Sequence, residues 1–325
     1  MPLTSFDYSW EELQTYTGLN PRPADFDTYW DKALAEMHAL GTQAELVPAE
    51  FQAPNADCFH LYFRGIGGAR VHAKYLRPKN MPAKHPAVVM FHGYTGNSGD
   101  WSDKLNYVGA GFSVAALDCR GQGGLSEDSS SVTGNTHHGH IVRGLDDALR
   151  GQPEKLLFRQ IFLDTAQLAR ILMAMPEVDA RRVGATGGSQ GGALTVACAA
   201  LEPGIQRAAP VFPFLCDYKR VWSMDYAKDA YAELKNFFRM FDPRHEHEDA
   251  IFEKLGYVDI QNLAPRIRAE VLWPIGLMDT ICPPSSQFAA YNKITAPKSL
   301  LVYPDFGHEG LPGQNDKVFE FLLGL

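Results

Sequence analysis

A chain of 325 residues, 45% of them hydrophobic, can bury one large core or two smaller ones, while a formal charge of -8 gives no electrostatic reason to bind nucleic acid or an anionic membrane. No stretch reaches about 18 uninterrupted apolar residues, and the opening residues carry neither a basic nor an apolar signal region, so the expectation is a cytoplasmic protein with no membrane span. The five cysteines, Cys58, Cys119, Cys198, Cys216 and Cys282, are odd in number and form no C-x-x-C pair, which suits reduced, structural thiols.

In chain order, residues 1–50 read as an N-terminal helical extension. Its second half is amphipathic, with Phe26, Tyr29, Trp30, Ala33, Leu34 and Met37 recurring at three- and four-residue spacings, and it is expected to lie against a sheet. Phe59 to Arg64 and Arg70 to Leu76 alternate around Gly65-Ile66-Gly67-Gly68, a hairpin with a glycine turn. Ala87 to Phe91 and Val114 to Leu117 are short, non-alternating apolar runs, as parallel strands buried on both faces require, with Trp101 to Ala110 as the crossover helix. Phe162 to Met175 has a helical apolar period and leads into a strand over Arg182 to Ala185. Arg207 to Val211, Val271 to Ile275 and Leu300 to Tyr303 complete about eight strands, and Lys317 to Leu323 adds a last helix. Two stretches, about 120–160 and 213–264, break the pattern and read as loop insertions of the kind that build lids, pockets or subunit contacts. The simplest account is a single α/β domain over 1–325: a mostly parallel sheet flanked by helices, with loop insertions.

The run Gly187-Gly188-Ser189-Gln190-Gly191 sits between a short apolar strand and the helical run Ala193 to Ala197. A serine on such a turn is forced into strained backbone geometry with its hydroxyl exposed, and small neighbours let strand and helix close on it; this is the nucleophile elbow of an α/β-hydrolase. Asp279 ends the segment Val271 to Met278, and His308 follows Leu300 to Tyr303 through Pro304-Asp305-Phe306-Gly307, so Ser, Asp and His fall in the hydrolase order on loops after successive strands. Asp305 is the rival acid, but three positions before His308 in the same turn it is badly placed to buttress that imidazole. A serine hydroxyl needs a base and the base an orienting acid, which assigns Ser189, His308 and Asp279 their roles. The oxyanion formed on attack needs two backbone N–H donors. One is expected from Gln190, directly after the nucleophile, and the other from Tyr94 in Phe91-His92-Gly93-Tyr94, whose ring would also wall the substrate site.

Arg120-Gly121-Gln122, Gly187-Gly188-Ser189-Gln190-Gly191 and His308-Glu309 together match the three-part signature of the acetyl xylan esterase and cephalosporin C deacetylase family, and from about residue 25 onward the chain resembles that family. Asn97 to Trp101, Asn135 to Gly144, Phe241 to His245 and Gly276-Leu277-Met278-Asp279 with Cys282-Pro283-Pro284 agree with it. The resemblance implies a serine esterase that removes acetyl groups from xylo-oligosaccharides, other small acetylated sugars and cephalosporin C. It further implies an intracellular homohexamer whose active sites face an internal cavity. It assigns the oxyanion hole to Tyr94 and Gln190 and the lining of a small acyl site to Phe214; the residues before Pro213-Phe214 depart from the family pattern. Arg120-Gly121-Gln122 reads as loop support beside the site rather than as direct catalysis.

Other readings find less to stand on. His137-His138-Gly139-His140 and His245-Glu246-His247 lack the spacing of a helical metal motif, and the chemistry needs no metal or other cofactor. No G-x-G-x-x-G occurs, because Arg70 and Ser126 stand where the third glycine would be. A general short-chain carboxylesterase or a prolyl-oligopeptidase-like peptidase shares the triad and elbow, and a catalytically silent binding subunit would require damage to them that the sequence does not contain.

Overall fold

In the computed structural model, which describes residues 6–81, 84–134 and 139–325, nine strands form one sheet: β1 (Ala44–Pro48), β2 (Ala56–Arg64), β3 (Arg70–Pro78), β4 (His85–Phe91), β5 (Ser113–Leu117), β6 (Val178–Gly188), β7 (Arg207–Val211), β8 (Glu270–Gly276) and β9 (Lys298–Tyr303). Their spatial order is β1-β2-β3-β5-β4-β6-β7-β8-β9. β1 to β3 pair antiparallel, β3 is antiparallel to β5, and from β5 to β9 every neighbour is parallel. This is the expected α/β-hydrolase sheet with one strand more than the sequence reading.

The extra strand corrects the helical extension over 1–50. Helices Trp10–Thr15 and Phe26–His38 do fill most of it, but residues 44–48 pair with β2 as an edge strand. All five of its residues are exposed, so no inward-facing apolar period marked it. The amphipathic stripe also lies elsewhere than expected. Trp30 stacks on Phe162 of helix Leu157–Ala174 and donates its indole N–H to the Tyr257 carbonyl (3.0 Å), so helix Phe26–His38 rests on another helix while residues 44–48 extend the sheet.

Alternation along the buried strands divides the core. Ala87, Val89 and Phe91 of β4 face the larger core, with helices Leu157–Ala174 and Gln190–Leu201, while Val88 faces a smaller one shared with Tyr107, Val108, Val318 and Leu322. Helix Gln190–Leu201 is buried on every side and so shows no amphipathic period. The expected crossover helix is a 3-10 turn over Ser102–Lys104 running into the short helix Leu105–Gly109. The two insertions contribute helices Leu145–Leu149, Tyr218–Ser223, Ala232–Phe241, Glu248–Leu255 and Ile260–Leu263. Among the described residues no helix is long and apolar enough to cross a membrane.

Candidate active site

Ser189 joins β6 to helix Gln190–Leu201 with φ 58° and ψ -117°, a left-handed conformation that costs a non-glycine residue on the order of 1–3 kcal/mol. Three backbone hydrogen bonds hold it there. Its N–H donates to the Val211 carbonyl (3.0 Å), and its carbonyl accepts from Ala193 (3.1 Å) and Phe214 (3.0 Å). The flanking glycines are steric necessities: a Cβ on Gly187 would lie 2.5 Å from the Phe91 carbonyl oxygen, and one on Gly191 would run into the same oxygen.

The loops after β8 and β9 carry the partners. His308 Nε2 lies 2.9 Å from Ser189 Oγ, and His308 Nδ1 lies 2.8 Å from Asp279 Oδ2. With the carboxylate fixing the ring proton on Nδ1, Nε2 is left to accept the serine hydroxyl proton. Asp279 is fully buried, and its other oxygen accepts the N–H groups of Ile281 (2.9 Å) and Cys282 (2.8 Å), which hold the carboxylate in line. Asp305 is exposed and makes no bond to His308, and the Phe212 ring packs on the imidazole at 4.8 Å.

Among the described residues, neither the Tyr94 N–H nor the Gln190 N–H donates to a protein acceptor, so both stay available beside the nucleophile. What holds these two segments together is a side chain that the sequence reading assigned only to general loop support. Gln122 Nε2 donates to Gln190 Oε1 (2.7 Å), Gln190 Nε2 donates back to Gln122 Oε1 (3.0 Å), and Gln122 Oε1 also accepts the Thr95 N–H (2.9 Å). One amide thus ties the residue after Tyr94 to Gln190. Its neighbour Arg120 is buried with Asp164 in a two-pronged ion pair (2.6 and 2.7 Å) and donates its remaining arm to the Ile66 carbonyl (2.7 Å). The motif was visible in the sequence; its link to the two N–H groups exists only in three dimensions.

Aromatic rings wall the same place. Phe214 is fully buried, with its ring 5.6 Å from Tyr94 and 4.3 Å from Tyr231. The Tyr94 hydroxyl meets His140 Nδ1 at 3.3 Å, and His140 Nε2 donates to the Gly121 carbonyl (2.7 Å). The sequence reading missed Glu233 altogether. From helix Ala232–Phe241 its Oε2 accepts the N–H groups of His140 (2.8 Å), Ile141 (2.7 Å) and Val142 (3.2 Å), and burial pushes its carboxyl up to about 7.

The remaining candidates are spoken for. Asn135, His137 and His138 lie outside the described residues. His245 bonds Glu248 (3.1 Å) and His247 bonds Asp242 (3.4 Å). Among the described residues, the acid, thiol and imidazole that do converge are Asp279, Cys282 and His308, with ligand atoms within 4.8 Å of one another, and two of these are the members of the hydrogen-bonded line just described. All five cysteines are free and buried, and burial pushes the Cys119 and Cys282 thiols well above the ordinary range, against a nucleophilic role.

A geometry of this kind invites comparison with known proteins. Residues 3–325 match the family model for acetyl xylan esterase (AXE1). Acetyl esterase Axe7A of Xylanibacter ruminicola is 26% identical over 308 residues, covering 91% of this chain but 65% of that protein, so the chain spans less than two thirds of that relative's length. The crystal structure of acetyl xylan esterase 1 from Thermoanaerobacterium sp. JW/SL YS485 is similar at 56% identity and a TM-score of 0.95, covering 98% of this chain and 99% of that one. The structure of an acetyl xylan esterase from Paenibacillus sp. R4 is similar at 35% identity and a TM-score of 0.90, with the same coverage.

Proposed function

This chain belongs to the acetyl xylan esterase family of carboxylic ester hydrolases, and from that premise we propose that it removes acetyl groups from acetylated xylo-oligosaccharides and other small acetylated sugars, and the acetyl group of cephalosporin C. Ser189 Oγ attacks the ester carbonyl as His308 Nε2 takes its proton, and Asp279 stabilises the resulting imidazolium. The tetrahedral oxyanion is met by the N–H groups of Tyr94 and Gln190. The carbonyl re-forms, the sugar hydroxyl leaves with the proton from His308, and the acetyl group stays on Ser189. Water, deprotonated by His308, then releases acetate and restores the serine. Phe214, packed against Tyr94 and Tyr231, limits the acyl chain to a short one. The reading takes residues 1–325 as one domain, acting in the cytoplasm as a homohexamer without a cofactor.

The observation that carries the reading is the hydrogen-bonded line Ser189–His308–Asp279, 2.9 and 2.8 Å, in a chain of this family. Initial rates on acetyl, butyryl and octanoyl p-nitrophenyl esters and on cephalosporin C test the selectivity. Rates that fall steeply with acyl length, with acetate released from the antibiotic, are expected. A preference for octanoyl ester would replace the deacetylase by a general carboxylesterase.

A further inference from the structure

A cleft of about 360 Å3 opens at the ends of β4, β6 and β7, between helix Leu105–Gly109 and helix Gln314–Leu323. Part of its wall is the backbone of Gly187 and Gly188, the residues directly before Ser189. The Phe212 ring lines it too, and that same ring packs on the His308 imidazole. Phe212 holds a positive φ of 30°, fixed by its N–H donating to the Pro274 carbonyl (2.9 Å), so the fold accepts backbone strain to keep an aromatic ring between cleft and base.

Of the polar side chains around this cleft, Thr186 donates to the Ala209 carbonyl (3.0 Å) and Asp103 accepts the Asp100 N–H (3.2 Å), while four others have no protein partner among the described residues. Tyr107 and Gln314 are only 7% and 8% exposed, yet among the described residues no hydrogen bond reaches the Tyr107 hydroxyl or the Gln314 side-chain amide. The side-chain amides of Asn106 and Asn315, at the cleft's exposed rim, are likewise without a protein partner among the described residues. The polar atoms of these four side chains stay open to the cleft and are not sealed from water, so a ligand seated there can take them as hydrogen-bond partners. Three amides and a phenol can each donate and accept, which matches a set of hydroxyls that do the same. The single charged lining residue is Asp103, and the described lining has no basic side chain, so an anionic ligand is not matched. The volume lies in the small-molecule range.

We propose that this cleft is a sugar-binding subsite that holds xylopyranose units of the substrate's alcohol portion beside Ser189, with Asn106, Tyr107, Gln314 and Asn315 bonding the hydroxyls and Phe212 presenting an apolar face to the ring. This assignment rests on the esterase reading above for its ligand class. Its test uses xylotriose, which carries no acetyl group, in ligand-observed saturation-transfer NMR with the full chain and with the double variant Asn106→Ala/Asn315→Ala, whose changes fall on exposed side chains without hydrogen bonds. Saturation transfer to xylotriose from the full chain that falls at least severalfold in the double variant is the expected result. Kinetics add a second readout: the ratio of kcat/KM on acetylated xylotriose to that on p-nitrophenyl acetate should fall roughly tenfold, through KM. No transfer from the wild type, or transfer undiminished in the double variant, overturns the subsite. Failure of the esterase reading is recognised separately, by a wild type that binds xylotriose but releases no acetate from its acetylated form.

Discussion

Gln122 is the residue on which most depends without touching substrate. Its amide bonds both the side chain of Gln190 and the N–H after Tyr94, so it sets the separation of the two proposed oxyanion donors. Replacing it with alanine would leave the buried Gln190 amide without this partner and free the Thr95 segment. Because the oxyanion exists only along the reaction path, the loss should fall on kcat, about ten- to a hundredfold, with KM little changed. Steady-state kinetics of Gln122→Ala on p-nitrophenyl acetate decide this, and an unaltered kcat would return Gln122 to simple loop packing. Ser189, Asp279 and His308 were legible in the sequence because each follows a strand, on the turn or loop after it, and their order is diagnostic. Glu233 was not, because nothing local in an insertion helix signals a carboxylate that will cap three N–H groups more than ninety positions earlier.

At the scale of elements, helix Ala232–Phe241 and the segment His140 to Val142 are joined through that carboxylate, and their union has a pH dependence. Burial raises the Glu233 carboxyl from 4.5 to about 7. The folded protein therefore keeps a proton that the unfolded chain gives up between those values. The associated stability is fully present below about pH 4.5 and is lost as pH rises through about 7. Glu233→Gln cannot titrate, so denaturant unfolding of wild type and variant should diverge with rising pH, the wild type losing up to about 3 kcal/mol relative to the variant. Parallel curves across that range would contradict the protonated carboxyl. The elements that were legible are those with a period. β4 and β5 announced themselves as continuous apolar runs, whereas β1, exposed at every position, and the short Leu105–Gly109 helix are defined by what they pair with or follow rather than by their own residues.

For the whole molecule, one sheet carries the β4 loop, the β6 elbow and the β8 and β9 loops at the ends of its parallel strands, which is why four segments far apart in sequence meet around Ser189. Chain order and strand succession made that convergence readable from sequence; the cleft beside it, built from two helices and a strained Phe212, required coordinates. The proposed hexamer belongs to this scale: size-exclusion chromatography with light scattering should return six times the chain mass, and a monomer would remove it. The central claim is that Ser189, driven by His308 and Asp279, deacetylates sugars. Its most direct test is acetate release from acetylated xylo-oligosaccharide by wild type beside Ser189→Ala. Rapid release by the wild type, reduced by at least about a thousandfold in the variant, is predicted. Release undiminished in Ser189→Ala would contradict the account.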